Sequence, residues 1–99
     1  MINNFLDFKE EYDTNISTYK QCLKLYHTLD NKRDKYWCVE LMRYKGMQHM
    51  NKAEWSVALK YFVEIESMIF LCMYVPPGHL PYETIKQLLE SYIASCEDK

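Results

Sequence analysis

The chain has 99 residues, of which 48% are hydrophobic, 26% charged and 15% aromatic, with two Gly and three Pro. This balance excludes a disordered chain, a collagen-like repeat and a Gly/Ser linker, and it falls short of the turn residues that an all-β domain demands. Twelve Lys and Arg against fourteen Asp and Glu leave a net charge of −2, so the basic excess that neutralises phosphates is missing and nucleic acid is not an expected partner.

The first helical pattern runs through Phe5, Phe8, Tyr12, Ile16, Tyr19, Leu23 and Tyr26, spaced by three or four, which lines one face of a helix. One long helix from about Asn3 to Leu29 is expected, with a break near Asp13 as the alternative, because Asp13-Thr14-Asn15 interrupts the propensity but not the period. Asp30-Asn31-Lys32-Arg33 is a polar turn, and Asn31 with Asp34 resembles a helix start. A second helix follows from about Lys32 to Met50, with Trp37, Cys38, Leu41, Met42 and Lys45 on or near its inner face.

Asn51-Lys52-Ala53-Glu54 reads as the next start, with Asn51 as cap and Glu54 reaching back to it. The third helix carries Trp55, Ala58, Leu59, Phe62, Ile65, Ile69 and Met73. It is apolar on most sides toward its end and is expected at the centre of the fold. Val75-Pro76-Pro77-Gly78 stops it. Pro81 then opens a fourth helix whose buried stripe is Ile85, Leu88, Leu89, Tyr92, Ile93 and Cys96. The expected fold is all-α: a single helical domain over residues 1–99, with about four antiparallel helices in a bundle.

The start Met1-Ile2-Asn3-Asn4-Phe5 has no signal-peptide pattern. The longest apolar run, Met68 to Val75, spans eight residues against the roughly 20 of a membrane helix, so no membrane partner is expected. Cys22, Cys38, Cys72 and Cys96 form no closely spaced pair and read as reduced core residues. An intracellular protein, cytoplasmic or nuclear, is the resulting expectation.

Gly46 lies twelve residues before Ala58, Phe62 follows four later, and Trp55 precedes Ala58 by three. This small–aromatic–small–aromatic spacing resembles a tetratricopeptide helical hairpin over about a third of the chain. Gly46 and Ala58 would let two helices approach, with Trp55 and Phe62 filling the space around that contact. The pattern departs from the family at Lys45, where a large apolar residue is usual, and at Phe70, which stands inside a helix where a proline usually closes the repeat. Lys52 to Tyr92, with Trp55-x-x-Ala58-Leu59, Pro76-Pro77, His79 and Pro81, is similar to the C-terminal helical domain of SET-and-MYND lysine methyltransferases. Leu80 separates His79 from Pro81, where that family joins them directly. Nothing resembles its catalytic domain or its zinc-binding cysteines. The resemblance implies a docking role without methyl transfer.

No catalytic or metal-binding residue and no cofactor is indicated. His27, His49 and His79 have no local nucleophile motif, with His27 and His49 read as solvent-exposed helix residues and His79 as part of a turn. The cysteines lack zinc spacing. Glu40, Glu64 and Glu66 have no Glu-x-x-His companion, and neither glycine belongs to a phosphate loop. The expected function is therefore a non-catalytic protein–protein interaction module, an adaptor or scaffold. By the repeat resemblance its partner face holds Glu40, Arg43, Met47, Met50 and Asn51. A homodimer is the alternative: it would cover the open end of a lone repeat and account for the aromatic surplus, including Tyr36, Tyr44 and Tyr61. A ligand pocket or enzyme is the remaining reading, marked by an inward polar residue such as Lys45 or His49.

Overall fold

A computed structural model describes residues 4–68 and 74–99. Among them are five α-helices and no strand: α1 (Phe5–Tyr12), α2 (Tyr19–Thr28), α3 (Lys32–Asn51), α4 (Trp55–Met68) and α5 (Tyr82–Glu97). The all-α class follows directly from the apolar periodicity. The expected continuation of the third helix from Ile69 to Met73 lies outside the described residues, as do Met1 to Asn3.

The single long first helix is corrected to two. After α1 the chain tightens into a 3₁₀ turn, Asp13–Asn15, and extends at Ile16 (φ −120°, ψ 114°). It restarts at Thr18, whose hydroxyl accepts the Gln21 amide while the Gln21 side chain accepts the Thr18 amide. This reciprocal cap satisfies two otherwise orphaned donors. Ile16 stays buried through the break, which explains why the apolar period continues across it. Lys45 completes the join. Its ammonium sits 2.6 Å from Asp13 Oδ1 and donates to the Ile16 carbonyl at 3.0 Å. The lysine where a repeat would place a large apolar side chain is thus the staple that holds the α1–α2 break against α3.

Asn31 caps α3, accepting the amides of Arg33 at 2.8 Å and Asp34 at 3.4 Å. The next boundary falls differently from the expected one. Asn51 is the last residue of α3 and does not cap α4. The Glu54 amide donates to His49 O at 2.9 Å and the Ala53 amide to Met50 O at 3.0 Å, the paired bonds of a Schellman termination. Ala53 takes the left-handed position there, with φ 61°. The Glu54 carbonyl then accepts the Ala58 amide, so the chain turns into α4 within three residues. Pro81 stands one place earlier than expected, at the cap of α5. Between α4 and α5, the His79 amide donates to Pro76 O across Pro77-Gly78, where Gly78 has φ 80°.

The centre is shared by α4, the third helix of the sequence reading, which lies between α3 and α5, and by α3. Helix α3 packs most extensively on α4 and also contacts α1 and α2, while α5 lies on α4. Tyr36, Trp37, Cys38, Val39, Leu41 and Met42 are all buried, so the first half of α3 is covered on nearly every side. Its second half meets α4 through Gly46, where an added Cβ would lie 2.6 Å from Phe62 Cε1. Ala58 and Phe62 are fully buried. Trp55 is half-buried and carries the Lys99 ammonium 5.3 Å above its ring. Two aromatics assigned to a surface surplus belong to the core: Tyr36 and Tyr61 are each 1% exposed. Tyr36 is used fully, its hydroxyl donating to Leu80 O at 2.7 Å.

Candidate functional site

The residues expected to meet a partner form a stripe on α3. Glu40, Arg43, Met47 and Met50 follow at helical spacing, about a quarter turn around the axis from the Gly46 contact with α4. Arg43 Nη2 meets Glu40 Oε2 at 2.7 Å and Nε meets Oε1 at 3.2 Å, a two-pronged pair. The remaining guanidinium nitrogen, Nη1, lies 3.9 Å from Met47 Sδ. Both charged side chains are about one-sixth exposed, at 17% and 16%. Burial works against the charge of Arg43, but hydrogen bonding and attraction from Glu40 outweigh it, and Tyr92 on α5 adds to them. The net result holds its pKa above the ordinary value. Tyr92 in turn lies against Phe62, ring centres 5.2 Å apart, which brings α5 to the edge of this stripe.

The structure therefore gathers Glu40, Arg43 and Met47 into one half-buried cluster. Met50 is half-buried nearby on the same helix face, and Asn51 is exposed at the helix end. Sequence spacing alone did not reveal that Arg43 is already neutralised by Glu40, nor that Tyr92 comes from α5 to support it. The i, i+3 relation of Glu40 and Arg43 was the available signal for the first.

His49 is corrected from a solvated helix histidine. Its ring stacks on Tyr61, centres 5.6 Å apart at 19°, and its Nδ1 lies 3.0 Å from Glu54 Oε1. It borders a cavity of 390 Å³ lined by Ser17, Thr18, Tyr19, Lys20, Val57, Lys60 and Tyr61 together with His49 itself. Lys45, the other polar residue that would mark an inward-facing site, is occupied by Asp13 and Ile16 as described. His79 lies edge-on to Trp37, ring centres 4.8 Å apart.

Cys22, Cys38 and Cys96 are buried free thiols, and Cys72 lies outside the described residues. Burial pushes the Cys22 thiol up to about 11 and the Cys38 thiol further still, which removes the thiolate that nucleophilic or ligand chemistry requires. Among the described residues no three of His, Cys, Asp and Glu gather to hold a metal ion. No described helix is long and apolar enough to cross a membrane. Comparison with family models, with curated proteins and with solved structures finds no match for this chain.

Proposed function

We propose that this chain is a non-catalytic interaction module that docks a partner protein or peptide on the α3 stripe of Glu40, Arg43, Met47, Met50 and Asn51, in the manner of a tetratricopeptide-like helical surface. One observation supports the reading: Arg43, near the start of a partly open stripe, is oriented by Glu40 with Tyr92 of α5 beside it, and its Nη1 lies 3.9 Å from the Met47 thioether. An oriented guanidinium beside two adaptable methionines is the composition of an interface anchor. An intracellular setting belongs to the same proposal, as does the lack of catalysis.

The test is capture from a cell extract on the immobilised chain, compared with the double variant Arg43→Ala/Met47→Ala. Retained proteins that disappear with the double variant, at unchanged helicity by circular dichroism, support the reading. The same proteins retained by both forms remove it.

A second reading, self-association as a structural element, is favoured by exposed apolar side chains: Leu6 at 72% and Val63 at 47%, with Tyr44, Tyr74 and Leu80 each at 37%. Light scattering under reducing conditions over a tenfold concentration range decides it. A mass that stays at 12.0 kDa rejects self-association, and a doubled mass supports it.

A further inference from the structure

The 390 Å³ cavity where the start of α2 meets the α3–α4 turn is built from donors. Its lining contains Lys20, Lys60, His49, two hydroxyl residues and two tyrosines, and no Asp or Glu, in a chain whose net charge is −2. Neither Lys20 nor Lys60 has an ion-pair partner among the described residues, and the Glu54 carboxylate beside this rim lies 3.0 Å from His49 Nδ1. Helix geometry leaves the first-turn amides of Tyr19 and Lys20 without intrahelical acceptors at the same rim.

Tyr61 supplies an independent observation. It is 1% exposed, it forms part of the cavity lining, and its buried hydroxyl has no hydrogen-bond partner among the described residues. A buried donor left in this state calls for an acceptor. Burial is the main cause that pushes this hydroxyl up to about 12, with Cys22 and Asp13 adding, so it stays protonated and able to donate. The rest of the wall is flat or apolar: Tyr19 stands edge-on to Tyr61 with ring centres 6.2 Å apart, and Val57 lies on α4.

We propose that this cavity binds a small ligand in which an oxyanion is joined to a flat apolar body, the anion lying between Lys20 and Lys60 and the body against Tyr19 and Val57. A phosphate monoester of an aromatic alcohol has this chemistry, whether free or as a phosphorylated tyrosine side chain. The site uses neither Arg43 nor Met47, and its success or failure leaves the α3 docking surface untouched.

Phenyl phosphate titrated into the full chain and followed by amide NMR is the direct test, with inorganic phosphate and phenol alongside. Saturable shifts centred on Tyr19, Lys20, His49, Lys60 and Tyr61, with phenyl phosphate tighter than either fragment, support the proposal. The charge-reversed Lys20→Glu/Lys60→Glu pair, both exposed and so compatible with folding, should weaken binding at least roughly tenfold. Tyr61→Phe should weaken it by several-fold with the fold retained. A tyrosine-phosphorylated peptide separates the two sources: binding tighter than phenyl phosphate assigns the group to a protein, and equal or weaker binding assigns it to a free ligand. Absence of saturable shifts, shifts centred elsewhere, equal binding by the charge-reversed pair, or phenol binding as tightly as phenyl phosphate would each overturn the site.

Discussion

Replacing Gly46 with alanine sets two known effects against each other at one atom. A methyl group at this position would lie 2.6 Å from Phe62 Cε1 and 3.1 Å from Cδ1 and Cζ, whereas carbon atoms rest about 3.5–4.0 Å apart. The ring must therefore retreat by close to 1 Å. Phe62 is fully buried, and Tyr92 of α5 lies against it with ring centres 5.2 Å apart, so the retreat is transmitted to α5. Over-packing of this kind costs about 1–3 kcal/mol. Alanine returns about 1 kcal/mol through its better helix propensity in the middle of α3. The interference is near the severe end of the range, and a net loss of about 1–2 kcal/mol is expected. For a domain of this size that lowers Tm by roughly 5–15 °C. Thermal unfolding by circular dichroism measures it, and a double-mutant cycle assigns it: in a Phe62→Leu background the alanine should become neutral or stabilising. A Gly46→Ala protein with unchanged or raised Tm, or the same loss in both backgrounds, would refute the close approach of α3 and α4 at this point.

Four further outcomes follow from the same geometry. Ala53→Gly relieves a left-handed alanine, worth about 1–2 kcal/mol, while returning about 0.4–1 kcal/mol to the unfolded chain; urea unfolding should show a gain of roughly 0.5–1 kcal/mol. Lys45→Met strands the Ile16 carbonyl and leaves the Asp13 carboxylate with Lys9 at 3.8 Å, and it should cost about 1–2 kcal/mol after allowance for the partial exposure of Asp13, with the loss of amide protection concentrated in residues 5–18 by hydrogen exchange. Mass-spectrometric mapping of alkylation should find Cys22 and Cys38 modified only at the rate of unfolding, because both thiols are buried and their ionisation is suppressed. The contribution of Cys22 to stability should be constant below about pH 9 and be lost as pH rises toward 11, since its thiol ionises near 9 when unfolded and near 11 when folded. The unfolded state then releases its proton first and is favoured. Alkaline titration followed by fluorescence reads this, and stability that rises over that interval contradicts the burial of the thiol.

Much of the fold was legible because helices bury one stripe and the stripe is written at intervals of three and four. The class and the cap at Asn31 both rest on neighbours within a few residues. The α3–α4 boundary was misread for a local reason with a tertiary cause. Asn51 and Glu54 have the composition of a capping box, but the chain uses His49 and Met50 carbonyls to end α3 and places a non-glycine residue in the left-handed position, where glycine would have been the readable signal. The break at Asp13 was visible only as an alternative, because its stabilising partner, Lys45, lies 29 residues away from Ile16. On the candidate surface, the i, i+3 spacing of Glu40 and Arg43 could be read as a pair, while the approach of Tyr92 could not.

What the sequence alone determined is the set of helices, their apolar faces and the near-neutral charge, since propensity, periodicity and composition act locally and add along the chain. The tertiary structure decided that α3 shares the centre with α4, which polar residues turn inward and what they meet there. Lys45, His49, Tyr36 and Tyr61 each have sequence contexts that fit either solvent or core. Their burial is set by the packing of α1, α2 and α4 on α3 and of α5 on α4. Lys45 meets Asp13 and Ile16, His49 meets Tyr61, and Tyr36 meets Leu80, contacts that no stretch of neighbouring sequence could announce.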